Sequence, residues 1–285
     1  MDLNWYPGHM AGAERMIKES LALVDVVIEM VDARIPSSGK NPAIEEITKN
    51  KKRMLVFNKW DLCDKTKSKK WMEIYKSKGY MPVAADCSKS AGISDIEKAA
   101  RLLAAEKIEK AAARGIKSVQ IRAMVAGMPN VGKSTLINRY ADKKVAKAED
   151  RPGITKNNRW IKVKKDFEIL DTPGVLARKL DDRQTALFIA LTGGIKDELA
   201  DITALAEELL RFIVKNYPES LNKRYGADAG DAGTARGLLD VIGRARGCLL
   251  KGGSIDAERT AIMLVDEFRA GKLGGMTLDE PVDLI

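Results

Sequence analysis

Histidine is nearly missing from this chain of 285 residues, and cysteine is scarce: there is one histidine and there are three cysteines. Cys63, Cys87 and Cys248 are scattered and odd in number, which argues against a disulfide framework and fits a reducing cytosol. With a single histidine beside them, they make no four-ligand zinc finger at ordinary spacing. Long apolar runs are missing too. No stretch reaches the roughly 18 residues needed to span a bilayer, so no membrane partner is expected. The amino-terminal stretch lacks a basic segment followed by an apolar block, and its first helix carries acids. Neither a secretory signal nor a mitochondrial transit peptide is expected. What remains is a cytoplasmic protein with real cores, 45% hydrophobic and 31% charged, long enough for about two domains.

Charge is present in surplus but unevenly. The net charge is +9. Residues 182–285 hold 13 basic and 17 acidic side chains, a net −4, so residues 1–181 carry +13. The surplus is densest between Arg139 and Lys165, through Lys143, Lys144, Lys147, Arg151, Lys156, Arg159, Lys162 and Lys164. Such a cluster fits a polyanionic partner; an ordinary solvated basic face is the alternative.

Short apolar runs over 24–31, 54–57, 80–85 and 119–126 predict buried strands. Helical spacing over 10–23, 65–78, 94–113 and 133–140 alternates with them, and two further strands fall at 159–163 and 167–170. That alternation predicts an α/β fold, a mostly parallel sheet with helices on both faces. After about residue 180 the texture changes. Ile202, Leu205, Leu209, Leu210 and Ile213 recur at helical spacing, as do Leu238, Leu239 and Ile242, then Ile262, Val265 and Phe268. The expected organisation is a nucleotide-binding domain over 1–180 and an all-helical domain over 181–285, with a loose glycine-rich loop over 226–237.

Four motifs carry chemistry. Gly127-x4-Gly132-Lys133-Ser134 matches the phosphate-binding P-loop and lies between a predicted strand and helix. Its glycines let consecutive N–H groups face the phosphates, with Asn130, Val131, Gly132 and Thr135 in the cradle. Lys133 neutralises β/γ oxygens, and the Ser134 hydroxyl ligates Mg²⁺. Asp171-Thr172-Pro173-Gly174 follows the last strand; Asp171 can hold Mg²⁺ through water and the Gly174 N–H can approach the γ-phosphate. Thr155, between these motifs, is placed to complete the Mg²⁺ shell when a γ-phosphate is present. Asn58-Lys59-Trp60-Asp61 is the guanine signature. Asp61 can accept from N1–H and the exocyclic amine of guanine, groups adenine does not offer, so ATP leaves it unpaired. Asn58 supports base and P-loop, and Lys59 packs its stem on the base. The last base-contact loop takes in Asp86, Cys87 and Ser88, or starts instead at Ser88. A backbone N–H there would read guanine O6. GTP and GDP are therefore the expected ligands.

Three residues stay open on these grounds. Val175 follows the DTPG turn, where many GTPases place a water-orienting glutamine; valine cannot do that. His9 can position or deprotonate water near neutral pH, or be structural. Asn130 can help hold a monovalent cation, or be a loop asparagine.

The order of the motifs is reversed: the guanine signature precedes the P-loop by almost seventy residues. With Trp5-Tyr6-Pro7-Gly8-His9-Met10, Asp32-Ala33-Arg34-Ile35-Pro36 and Pro152-Gly153-Ile154-Thr155, that order resembles the circularly permuted GTPases, in particular the ribosome biogenesis GTPase A (YlqF/RbgA) family, over essentially the whole chain. The resemblance implies a Mg²⁺-dependent GTP hydrolase acting late in assembly of the large (50S) ribosomal subunit, bound to ribosomal RNA and proteins of the precursor. It implies a hydrophobic residue at Val175, a catalytic role for His9, K⁺ stimulation through Asn130, and an RNA-binding helical domain. Tyr6 and Gly12 depart from the family's more usual phenylalanine and lysine. The net −4 of residues 182–285 requires either that Arg236, Arg244, Arg246 and Lys251 share one face, or that this domain contacts protein. A monomer is expected, and no DNA. Two other readings remain: an RNA-binding GTP switch, and a GTPase acting on a non-ribosomal partner.

Overall fold

A computed structural model describes residues 8–141, 160–175, 182–228, 230 and 232–281. The chain opens with α1 (Gly8–Ser20), then β1 (Val26–Asp32), α2 (Pro42–Thr48), β2 (Lys52–Asn58), α3 (Lys65–Ser77), β3 (Met81–Ala84), α4 (Ile93–Leu103) and α5 (Ala105–Ala112). It continues with β4 (Ile121–Gly127), α6 (Lys133–Ala141), β5 (Trp160–Lys164) and β6 (Phe167–Asp171). Every residue of β1 is buried. A strand covered on both faces belongs inside a parallel sheet, and β1 lies near the middle of a 6-stranded one ordered β3-β2-β1-β4-β6-β5. All its neighbours pair in parallel except the β5–β6 hairpin.

Alternation along β1 separates two layers. Val26, Ile28 and Met30 join a core with Ile96 of α4 and Leu136 of α6. Val27 packs with Ile17 of α1 and Ile44 of α2, and Val31 with Trp71 and Ile74 of α3. Helices therefore cover both faces, as the sequence predicts. From β1 the chain winds outward to β2 and β3, then crosses back to β4 on the other side of β1. In such sheets the crevice at the carboxyl ends beside that reversal takes the ligand.

The helix expected over 94–113 is two helices. Ala104 leaves helical geometry between them, so α4 keeps Ile93, Ile96 and Ala100 on the sheet while α5 buries no residue.

After β6 come α7 (Arg183–Leu191), α8 (Ile202–Asn216), α9 (Glu219–Tyr225), α10 (Ala235–Ala245) and α11 (Ala257–Arg269). Asp182, Asp201, Thr234 and Asp256 cap α7, α8, α10 and α11 by accepting first-turn N–H groups. Leu209 and Ile213 pack with Leu239, Ile242, Leu264 and Phe268. Among the described residues after β6 no strand forms, as expected. The chain beyond α11 differs from an all-helical tail. Gly271, at positive φ, ends the helix, and the chain then runs back over the loops that follow β1 and β2. Among the described residues, no helix is long and apolar enough to cross a membrane.

Candidate functional site

The motif loops, far apart in sequence, meet at one edge because each follows the carboxyl end of a parallel strand. Asn58 ends β2, the 86–88 loop follows β3, Gly127 ends β4 and Asp171 ends β6. Reversed chain order leaves this arrangement intact, since strand adjacency and not sequence order brings the loops together.

Asn58 is the joint. Its side-chain amide donates to the Val131 carbonyl (2.7 Å) and its oxygen accepts from the Cys87 N–H (3.0 Å). The guanine signature is thereby fastened to the P-loop on one side and to the last base-contact loop on the other. Gly132 is held at φ +100, and a Cβ there would collide with that same Asn58 amide. Glycine at this position is thus required by the close approach as well as by the backbone.

Lys133 is buried, and its ammonium donates to the carbonyls of Gly127 (3.1 Å) and Met128 (2.7 Å). Burial pushes its pKa down to about 8, against the pull of Asp171. Ser134 and Thr135 are exposed in the first turn of α6, where helix N–H groups lack intrahelical acceptors and favour an anion. Gly174 closes over the loop: a Cβ there would sit 3.0 Å from the Lys133 ammonium and from Pro129. The Val175 N–H donates to the Gly127 carbonyl (3.2 Å). The Val175 side chain is fully buried with Ile44, Met124 and Trp160, so it faces the core.

On the base side, Lys59 sits at φ 58 and its ammonium meets Asp32 at 2.9 Å. Trp60 packs against the α3 cluster. Asp61 is exposed enough to meet a ligand and accepts from Lys89 (2.7 Å), which bridges the two base loops. Burial works against the charge on Asp86, yet the Ser88 hydroxyl and Lys89 hold its carboxyl below the usual range. The Asp86 carboxylate accepts from the N–H of Ser88 (3.0 Å) and of Lys89 (3.3 Å). Burial pushes the Cys87 thiol up to about 12, so Cys87 acts through its backbone and not as a thiolate. That backbone N–H is committed to Asn58. Arg139 of α6 reaches the Cys87 carbonyl (3.3 Å) and the Ser88 carbonyl.

Asn130, at φ 58, donates from its side chain to the Gly193 carbonyl (2.7 Å), in the turn after α7. The P-loop is thus bonded to the helical region. Thr155 lies outside the described residues. His9 stands in the first turn of α1, but its side chain is outside them too. The sequence reading missed Lys89, Arg139, and the acid Asp32 at the end of β1. The signal for Asp32 was there: an ionisable residue closing a largely apolar strand.

A family model described as "50S ribosome-binding GTPase" matches residues 122–223. A protein named ribosome biogenesis GTPase A from Bacillus cereus is 46% identical, over 99% of this chain and 95% of its own. The chain belongs to the ribosome biogenesis GTPase A family. A namesake from Thermotoga maritima is 28% identical over 99% of this chain and 96% of its own. Mouse mitochondrial ribosome-associated GTPase 1 is 37% identical over 72% of this chain and 65% of its own. Among solved structures, the GDP-bound structure of TM YlqF aligns with TM-score 0.65 at 25% identity, covering 94% of this chain and 99% of that one. GNP-bound YlqF from T. maritima shares the fold, with TM-score 0.63 at 24% identity, over 96% of this chain and 100% of that one. The ribosome biogenesis GTPase A fold, a circularly permuted GTPase domain followed by helices, is therefore the fold of this chain. It is a guanine-nucleotide-binding GTP hydrolase.

Proposed function

We propose that this GTPase binds the immature large ribosomal subunit in its GTP state, promotes a late assembly step, and leaves on hydrolysis to GDP and phosphate. The observation that carries the reading is the Asn58 joint, which makes base recognition and the phosphate loop one unit. A single nucleotide-dependent rearrangement can then be felt across the edge of the sheet. The family supports the ribosomal partner, and the +13 of residues 1–181 supports contact with ribosomal RNA.

The division of labour is as follows. Asp61 and Lys59 take guanine, and a backbone N–H of the 86–88 loop reads O6. N–H groups from Asn130 to Thr135 take the phosphates. The hydroxyl of Ser134, with Asp171 through water and Thr155, would hold Mg²⁺; these are hard oxygen donors, and Ser134 is exposed beside the loop. Bound there, Mg²⁺ supplies charge neutralisation on the β/γ oxygens. Lys133 stabilises the same charge. Asn130 would take K⁺ through its amide oxygen while its nitrogen holds Gly193. Val175 points into the core, so orientation of the attacking water falls to another group, and His9 is assigned it. Residues 1–180 form the nucleotide domain and 181–285 the particle-sensing region; the working form is a monomer in the cytoplasm, acting on RNA and protein of the particle and not on DNA.

GTP turnover measured with and without purified 50S particles tests this. The expected result is stimulation by the particle that His9→Ala abolishes with GTP affinity unchanged. Turnover indifferent to the particle would remove the ribosomal reading; stimulation that survives His9→Ala would remove His9 alone.

A further inference from the structure

The carboxyl end of β1 carries a charged group with no place in the mechanism above. Arg34 is almost completely buried, with 1% of its side chain exposed, and Asp32 beside it with 2%. Their contact is two-pronged: Nε to Oδ1 at 3.0 Å and Nη2 to Oδ2 at 2.8 Å. The Arg34 N–H also donates to Oδ1 (3.0 Å). The same Oδ2 takes the ammonium of Lys59 at 2.9 Å. One carboxylate is therefore shared between a buried arginine and the lysine that packs on guanine. Burial alone would raise the Asp32 pKa; Arg34 and then Lys59 overcome that and hold it well below the usual carboxylate range.

The other end of Arg34 faces the helical region. Its Nη1 faces the carbonyls of Arg269 (3.4 Å) and Phe268 (3.5 Å) at the end of α11, and its guanidinium carbon lies 5.2 Å from the centre of the Phe268 ring. The returning carboxyl-terminal segment grips the same loops. The Leu278 N–H donates to the Arg34 carbonyl (2.7 Å), and the Met276 N–H to the Leu62 carbonyl (3.0 Å), just past the guanine signature. Buried Asp279 accepts from the N–H of Ser37 (2.7 Å) and Ser38 (2.9 Å) and from the Ser38 hydroxyl (2.6 Å).

A buried ion pair is weak evidence for stability, because desolvation offsets most of its attraction. A role in fixing one geometry accounts for it better. Lys59 occupies a backbone conformation that side-chain-bearing residues rarely take, so something must hold it there. We propose that Asp32 and Arg34 are positioning residues for guanine recognition, and that the helical region sets guanine-nucleotide affinity through them. Seating of α11 and of residues 276–279 keeps Arg34 in place, Arg34 keeps Asp32 in place, and Asp32 keeps Lys59 over the base. A contact that lifts the helical region loosens the base. The proposal rests on Lys59 as the base-packing lysine.

A double-mutant cycle on GDP affinity tests it, using full-length protein and calorimetry. Asp32→Asn is expected to weaken GDP by about tenfold, and to add nothing in a Lys59→Met background. Additive effects of the two substitutions would overturn the pairing, since a merely structural Asp32 would act regardless of Lys59. Should Asp32→Asn fail to fold, Asp32→Glu, which keeps the charge and displaces it, enters the same cycle. Asp279→Ala tests the helical half: GDP affinity weakened about threefold is expected, and a folded variant with wild-type affinity would overturn it. Wild-type protein binding ADP as well as GDP would fail differently, by sinking the guanine reading beneath the proposal.

Discussion

Lys133 shows how much of this site is set by one side chain and its surroundings. Its ammonium is buried against two loop carbonyls and pushed down to about 8. Bound phosphates favour the charged form, so binding above that pH must take up a proton. GTP affinity is therefore expected to fall about fourfold from about pH 7 to about pH 8.5. The sign follows from the lowered value: below it the lysine is already charged and affinity is flat. Isothermal titration across that range checks this against Lys133→Arg, whose guanidinium stays charged. A wild-type profile parallel to that of the arginine variant would rule the titration out. Val175 shows the opposite situation. Sequence alone says that valine cannot orient water; the structure adds that it faces the core.

At the scale of elements, the strands and their terminal loops were legible because a parallel sheet leaves a plain trace. Strands covered on both faces read as short, largely apolar runs, and each ended in a motif. The P-loop, the guanine signature and the DTPG turn could be assigned on that ground, and so could the helices after residue 180. The joints between loops were not legible. That Asn58 reaches Val131 and Cys87 at once depends on β1 lying between β2 and β4, a fact of sheet order and not of spacing. The break at Ala104 was hidden because alanine, the best helix former, reads as helix. The return of residues 276–279 was hidden because short coil carries no period. Asn58→Ala tests the joint. It leaves a buried carbonyl and a buried N–H unpaired, at about 1–3 kcal/mol each. Lower thermal stability together with weaker GDP binding is expected; a loss of binding with unchanged stability would mean that Asn58 serves the ligand alone.

Across the whole molecule, several contacts among the described residues fasten the nucleotide edge to the helical region. Asn130 holds Gly193, Arg34 faces the end of α11, and Asp279 caps the loop after β1. Arg269 completes the first fastening by donating to the carbonyls of Leu191 (3.1 Å) and Ala190 (2.9 Å) and pairing with Asp197 (2.7 Å). The reversed motif order makes this connection short: the DTPG turn ends at Gly174 and α7 begins at Arg183. A change at the γ-phosphate can then reach the helices through backbone contacts as well as through the chain itself. The charge of the helical region bears on what it touches. Arg246 pairs with Glu267 at 2.7 Å and Arg236 lies 3.8 Å from Glu207, so these two of its four singled-out cations are tied to acids of their own region. Contact with protein, or with RNA at few phosphates, suits that surface better than a broad electrostatic grip.

In the proposed function, guanine nucleotide state decides residence on the large-subunit particle. Sedimentation through a sucrose gradient with 50S particles, comparing GDP with a non-hydrolysable GTP analogue, tests it most directly. The protein is expected to travel with the particle when the analogue is bound and to stay at the top of the gradient with GDP. Equal distribution in the two states, or no co-migration in either, would contradict it.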